Sequence, residues 1–127
     1  MLNEKVALAF GTDWPVAPLN PLEGIYAAVT RATIDGKTPN GWVPEEKISI
    51  DEALHAYTYG GAFASLEEKT KGTLETGKLA DIVVLSANPF EVTPEEIRDI
   101  KVLMTVVGGK VVYAGEEFAE YCDADNF

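Results

Sequence analysis

Apolar positions along the chain follow two spacings, one helical and one strand-like, and the change between them falls near Gly72. Leu22, Ile25, Tyr26, Val29 and Ala32 recur three or four residues apart, which places them on one helix face. Asn20-Pro21-Leu22-Glu23 predicts the start of that helix, because Asn20 can cap it, Pro21 suits its first position and Glu23 can reach back. Asp35-Gly36 predicts its end. Ser49-Ile50-Asp51-Glu52 is a capping box for a second helix with Ile50, Ala53, Leu54 and Tyr57 on its buried face. Gly60-Gly61 predicts a break before a shorter helix to about Leu66. Thr93-Pro94-Glu95-Glu96 repeats the capping logic for one or two turns through Ile100.

Strand-like runs lie on either side of the helices. Val6 to Phe10 is continuously apolar and ends at Gly11, which fits a buried parallel strand. Leu79 to Leu85 reads as a strand. Its β-branched core, Ile82-Val83-Val84-Leu85, predicts cover on both faces. Asp81 interrupts the run and must face water or accept hydrogen bonds, because an unpaired buried charge is expensive. Val102 to Val107 and Lys110 to Tyr113 flank Gly108-Gly109, a hairpin with a two-residue turn. A turn that tight sets Val106 against Val111 and Met104 against Tyr113. Asp35 to Lys47 is a long loop, and Trp42 predicts that it is anchored, since an indole in solvent wastes burial. Residues 116–127 carry five acids and little periodicity. They read as a mobile tail, or as a short helix docked through Phe118 and Tyr121.

Composition narrows the function classes. Acids outnumber bases by 21 to 10, with no Arg-rich helix, which argues against nucleic-acid binding. No apolar run approaches the ~18 residues that cross a bilayer, and no signal peptide is visible. A single cysteine, Cys122, excludes an internal disulfide and fits a reducing, cytoplasmic setting. In an acidic tail its thiol is not activated as a nucleophile. The 127 residues make one domain's worth of chain, well short of a barrel of about 250 residues.

Two stretches carry a family resemblance: Gly72-Thr-Leu-Glu-Thr-Gly-Lys-Leu-Ala-Asp-Ile-Val-Val-Leu85 and Met104-Thr-Val-Val-Gly-Gly-Lys-Val-Val-Tyr113. Phe10-Gly-Thr-Asp-Trp-Pro-Val16, Gly41-Trp-Val-Pro44 and Ala56-Tyr-Thr58 precede them in the same order. Together, from about Val6 to Gly115, they resemble the C-terminal portion of an amidohydrolase-superfamily enzyme of the amidohydrolase family 3 type. The resemblance implies an α+β chain: the last strand and helices of a TIM barrel, then strands of a composite β-sandwich domain. Residues 1–71 would be the barrel remnant, 72–115 the sandwich portion and 116–127 an acidic tail.

The same resemblance implies a metal-dependent hydrolase of non-peptide C–N bonds, acting on a small molecule by metal-activated water. Asp13 is the candidate catalytic residue and metal ligand: it takes the proton of the metal-bound water and can bind one metal, zinc or a similar divalent ion. Trp14, Pro15 and Trp42 are the candidate substrate-binding residues. Read as residues alone, Asp13 can equally cap the turn before Trp14-Pro15, and the two tryptophans can anchor loops. The family's metal is held mainly by histidines from earlier barrel strands. Here the single histidine, His55, lies inside the second helix and reads as a surface or packed residue. The isolated chain is therefore expected to bind no metal and to be inactive. It is expected to be a homo-oligomer, most simply a dimer, or to pair with a chain that supplies the missing barrel. The alternative is a non-catalytic, oligomerising structural subunit. Glu45-Glu46, Glu67-Glu68, Glu95-Glu96 and Glu116-Glu117 are adjacent acids that diverge by ~100° on a helix and form no site.

Overall fold

The computed structural model describes residues 6–121. Three short α-helices and a three-stranded antiparallel sheet make an α+β arrangement: α1 (Pro21–Thr30), α2 (Ile50–Tyr57), α3 (Tyr59–Ala64), β1 (Ile82–Leu85), β2 (Val102–Val107) and β3 (Lys110–Ala114). Short 3-10 helices lie at Pro44–Glu46, Pro94–Asp99 and Glu116–Tyr121.

The helix starts follow the sequence. Asn20 accepts a hydrogen bond from Leu22 N at 3.1 Å, and Pro21 opens α1. Ser49 N and Oγ both donate to one carboxylate oxygen of Glu52, at 2.7 and 2.9 Å, while Ser49 Oγ accepts from Glu52 N at 3.2 Å. Thr93 N and Oγ1 donate to Glu96 in the same way, both at 2.8 Å. These bonds satisfy backbone groups that a first helical turn leaves orphaned.

The helix ends differ from expectation. Helix α1 stops at Thr30, short of Asp35-Gly36, and Arg31 turns left-handed with φ 58°. Thr30 explains this locally: its buried hydroxyl donates to Tyr26 O at 2.7 Å and accepts from Ala32 N at 3.1 Å, which turns the chain out of the helix. The break between α2 and α3 falls at Thr58 (φ −109°, ψ −84°), and Gly60 and Gly61 lie inside α3. Gly60 is needed there because the Leu8 carbonyl oxygen occupies the space a side-chain Cβ would fill.

One core holds the helical region together. Leu22, Ile25 and Tyr26 of α1, Ala53 of α2, Ala32, and Ile97 and Ile100 from the turn between β1 and β2 are all buried. Ile97 is 2% exposed. Ile50, Leu54, Tyr57 and Leu85 pack on the margin of this cluster.

In the sheet the order is β1-β2-β3. The hairpin turns at Gly108-Gly109 (φ 57° and 84°), as the Gly-Gly pair requires. Val106 pairs with Val111 as expected, but the register shifts between Thr105 and Val106, so Met104 faces Ala114 and Tyr113 faces Thr105. A bulge of this kind sends each residue beyond it to the other face. Asp81 Oδ1 accepts from Gly108 N at 2.7 Å, and Ala80 O accepts from Gly109 N at 3.1 Å, so the carboxylate pins the hairpin turn to the entry of β1.

Two expectations of burial are corrected. Residues 6–10 run without helical or strand assignment and join no ladder among the described residues, and Val6 is 50% exposed. A parallel barrel strand needs a neighbour on each side, and no described strand lies beside it. Strand β1 is likewise not covered on both faces, because Val83 is 53% exposed. Of the segment after β3, Glu116–Tyr121 is a short 3-10 helix beside β2 and β3, with the Phe118 and Tyr121 rings 6.1 Å apart and Tyr121 53% exposed; the rest of the predicted tail lies outside the described residues. Cys122 lies outside the described residues.

Candidate functional site

Asp13 is placed by a short chain of contacts. Phe10 N donates to Ala56 O of α2 at 3.0 Å. The Phe10 ring meets the Tyr57 ring edge-on, with centroids 5.5 Å apart. Leu8 crosses Gly60 of α3. The segment is thus clamped to the α2–α3 pair, and Asp13 follows three residues after the clamp. The chain turns there, with Val16 N donating to Asp13 O at 2.8 Å. The Trp14–Pro15 peptide is cis.

Asp13 itself has φ 52°. That left-handed region is sparsely used by non-glycine residues, though aspartate tolerates it better than most. Such outliers cost on the order of 1–3 kcal/mol and gather at active sites and ligand clamps. Asp13, Trp14 and Pro15 are all exposed, Trp14 at 65%.

Trp42 does not join them by any stacking among the described residues. Its backbone N donates to Arg31 O at 2.8 Å, Arg31 Nε donates back to Trp42 O at 3.2 Å, and the guanidinium sits 5.5 Å from the ring centroid. Its loop is anchored, as its position suggested, but by hydrogen bonds and a cation–π contact. The residue stays 68% exposed, so burial of the indole is not what anchors the loop.

His55 is on the exposed side of α2 and stacks on Tyr59 with centroids 4.9 Å apart. Among the described residues, no three His, Cys, Asp or Glu side chains come together to hold a metal ion. Asp13 with His55 therefore falls short of the three or four ligands that a divalent metal centre takes from protein.

Two hollows lie elsewhere. A groove of about 800 Å³ runs between the helices and β1, lined by Leu54, Tyr57, Ala62, Leu74, Val83 and Leu85 with Lys71 and Asp81 among its polar groups. A cavity of about 570 Å³ sits at the end of α1, bordered by Tyr26, Lys47 and Arg98. Neither takes in Asp13, Trp14, Pro15 or Trp42. Arg98 is committed there, stacked 5.1 Å over Tyr26 and donating to Ile34 O at 3.1 Å.

Sequence reasoning missed two residues. Tyr57 reads as one more core position at helical spacing, yet its hydroxyl packs over Gly24, its ring holds Phe10, and burial raises its pKa. Lys78 looks like a surface lysine in a Gly-Lys loop, yet its side chain is 12% exposed. Its ammonium donates to Glu68 O at 2.7 Å and meets Glu75 at 3.0 Å. An apolar stem that snorkels to a carbonyl leaves no periodic signal in a sequence.

Comparison with known proteins gives this constellation a lineage. Residues 1–113 match the model of the Amidohydrolase family. The chain is similar to the Arabidopsis thaliana protein LONG AFTER FAR-RED 3, with 43% identity over 89% of this chain and 19% of that protein. It is 34% identical to the N-substituted formamide deformylase of Arthrobacter pascens, over 89% of this chain and 20% of the enzyme. An amidohydrolase from Thermotoga maritima MSB8 superposes with a TM-score of 0.64 and 24% identity, covering 90% of this chain and 24% of that structure. E. coli guanine deaminase superposes equally, at 0.64 with 21% identity, covering 90% and 29%. The chain spans about a fifth of the length of the curated relatives that it matches first.

Proposed function

This chain belongs to the amidohydrolase family, and from that premise we propose that it is the Asp13-bearing part of a metal-dependent hydrolase of non-peptide C–N bonds. The observation that carries the reading is Asp13. It stands in left-handed backbone within Phe10-Gly-Thr-Asp-Trp-Pro, directly after a segment clamped to two helices. Relatives named as a formamide deformylase and as a deaminase support carbon–nitrogen chemistry on small molecules.

In this reading residues 1–71 are the remnant of the barrel end, 72–115 the sandwich portion and 116–127 an acidic tail. The Asp13 carboxylate is the group that accepts and returns a proton, with Trp14, Pro15 and Trp42 bordering the substrate. The described residues do not fit a complete centre for zinc or a similar divalent metal, so the remaining ligands come from outside them. Another chain that supplies the missing barrel is one source. A second reading, a non-catalytic structural subunit, is favoured by the exposure of Asp13 and by the lack of any ligand cluster among the described residues.

The test pairs metal content with turnover. The purified chain is expected to hold zinc only substoichiometrically and to leave an N-substituted formamide unhydrolysed. Co-expression with a histidine-bearing barrel portion of a family enzyme is expected to restore turnover, and Asp13→Asn to lower it by about 10²–10⁴-fold, the usual size of a general acid–base contribution. Restored turnover that ignores Asp13→Asn removes the assigned role. No turnover in any combination favours the structural subunit.

A further inference from the structure

The loop that carries Trp42 also carries a reactive pair of residues. An asparagine side-chain amide is open to attack by the backbone nitrogen of the residue that follows it. A bulky following side chain slows that attack, and a following proline bars it, because its nitrogen carries no hydrogen. Four of the chain's five asparagines are hindered in one of these ways. Asn20 and Asn88 precede Pro21 and Pro89, and Asn3 and Asn126 precede Glu4 and Phe127. Asn40 precedes Gly41, which has no side chain to stand in the way. Asn40 is also exposed, so water reaches it.

The fold restrains this pair. Gly41 N donates to Thr38 O at 2.9 Å, which closes a β-turn over Pro39 and Asn40. Gly41 is left-handed, with φ 84°. It is seated against the end of α1: a Cβ added there would stand 2.5 Å from Thr30 O and 3.2 Å from Arg31 Cβ. The next amide, Trp42 N, donates to Arg31 O at 2.8 Å, and Arg31 Nε donates back to Trp42 O at 3.2 Å. The attacking nitrogen is therefore fixed by its own hydrogen bond and by an anchored residue after it. Its approach to the Asn40 side chain requires the turn to open locally. The product cannot close the same turn. In an isoaspartyl product the main chain runs through the former side chain and is one methylene longer, so the reach of the Thr38–Gly41 bond is lost.

We propose that Asn40–Gly41 is a deamidation site gated by this turn: slow while the loop is seated on Arg31, fast once it opens, and one-way because the product holds the loop open. Gly41 N bonds to Asn40 Cγ as the Cγ–Nδ2 bond breaks, and ammonia leaves. Water then opens the cyclic imide at either carbonyl, giving an isoaspartyl or aspartyl residue with a carboxylate in place of the neutral amide. The inference is independent of any role for Asp13. The purified chain is incubated at mildly alkaline pH, folded and in urea above its unfolding transition, and peptide mapping by mass spectrometry follows conversion at Asn40. Conversion is expected to be at least about tenfold faster in the unfolded chain, since only the open loop reacts. Folded Arg31→Gln, which loses the bond to Trp42 O and the contact with its ring, is expected to fall between the two. Should that variant fail to fold, Pro39→Gly, which loosens the turn and leaves Arg31 in place, is expected to act in the same direction. Hydrogen exchange at the Trp42 amide is expected to quicken about tenfold in the isoaspartyl product. Equal conversion in the folded and unfolded chain, no conversion at Asn40 in the unfolded chain, folded rates untouched by both variants, or a Trp42 amide that exchanges alike before and after conversion overturns the proposal.

Discussion

The helical region and the sheet are built from similarly apolar sequence and end in opposite states. Leu22, Ile25, Tyr26, Ala53, Ile97 and Ile100 are nearly dry, whereas no residue of β1, β2 or β3 is buried. The difference is one of partners. Helix α1 meets the Pro94–Asp99 turn and α2 within this chain, so its apolar stripe finds cover locally. A three-stranded sheet pairs its central strand on both sides but cannot cover its own faces. An apolar run therefore selects a strand without guaranteeing it an interior, and the core of this chain lies on the helical side.

That contrast makes a first prediction. Ile97→Ala removes a fully buried side chain that the surrounding core cannot easily replace, so it is expected to cost ~2–5 kcal/mol. Val83→Ala, at a site 53% exposed, is expected to cost less than about 1 kcal/mol, since little surface returns to water. Urea unfolding of both variants at low protein concentration checks this. Equal losses would mean that the sheet is as well packed as the helices and would dissolve the comparison.

A smaller effect separates the caps from the core. Ser49→Ala removes the hydroxyl that accepts from Glu52 N and is expected to cost ~1 kcal/mol. Hydrogen exchange should quicken in the first turn of α2 and leave the hairpin unchanged. Exchange that quickened equally in β2 and β3 would couple the two regions more tightly than their contacts imply.

The smallest expected effect is a pH dependence. Hydrogen bonds from the Ser49 backbone N and side-chain hydroxyl hold Glu52 below its usual range, and Thr93 does the same for Glu96. A carboxylate with a depressed folded-state pKa stabilises the fold above its unfolded value of ~4.3, and that contribution is lost as pH falls through the folded value. Melting temperature is expected to drop as pH is lowered from about 5 towards 3, and the double variant Glu52→Gln, Glu96→Gln should flatten that slope. An unchanged slope would place the acid-sensitive groups elsewhere, with Glu67 beside Lys71 and Glu75 beside Lys78 the next in line.

Much of the helical region was legible in the residues themselves. Asn20, Ser49 and Thr93 announce helical starts because a cap reaches only two or three residues along the chain. Gly108-Gly109 announces the hairpin because the turn demands positive φ. Asp81 was readable as a carboxylate in need of a donor, though not which donor: Gly108 lies 27 positions away. The candidate site was legible as a motif and not as a geometry. Nothing local shows that Trp42 is tied to Arg31, or that Asp13 adopts left-handed backbone while Trp14 stays in solvent.

By itself the sequence determined the order of the helices and of the three strands after Gly72, the caps, the hairpin turn and the acidic balance, all set by interactions within a few residues or by composition; it did not determine residues 6–10, which read as a strand and form none. Only the tertiary structure decided where α1 stops, that the helix break falls at Thr58 with Gly60 beneath Leu8, and which apolar runs are dry. It also decided the bulge that pairs Tyr113 with Thr105 in place of Met104. Each of these depends on what lies across space from a residue, and a one-residue shift of register, invisible to the pattern along the chain, exchanges one face of a strand for the other.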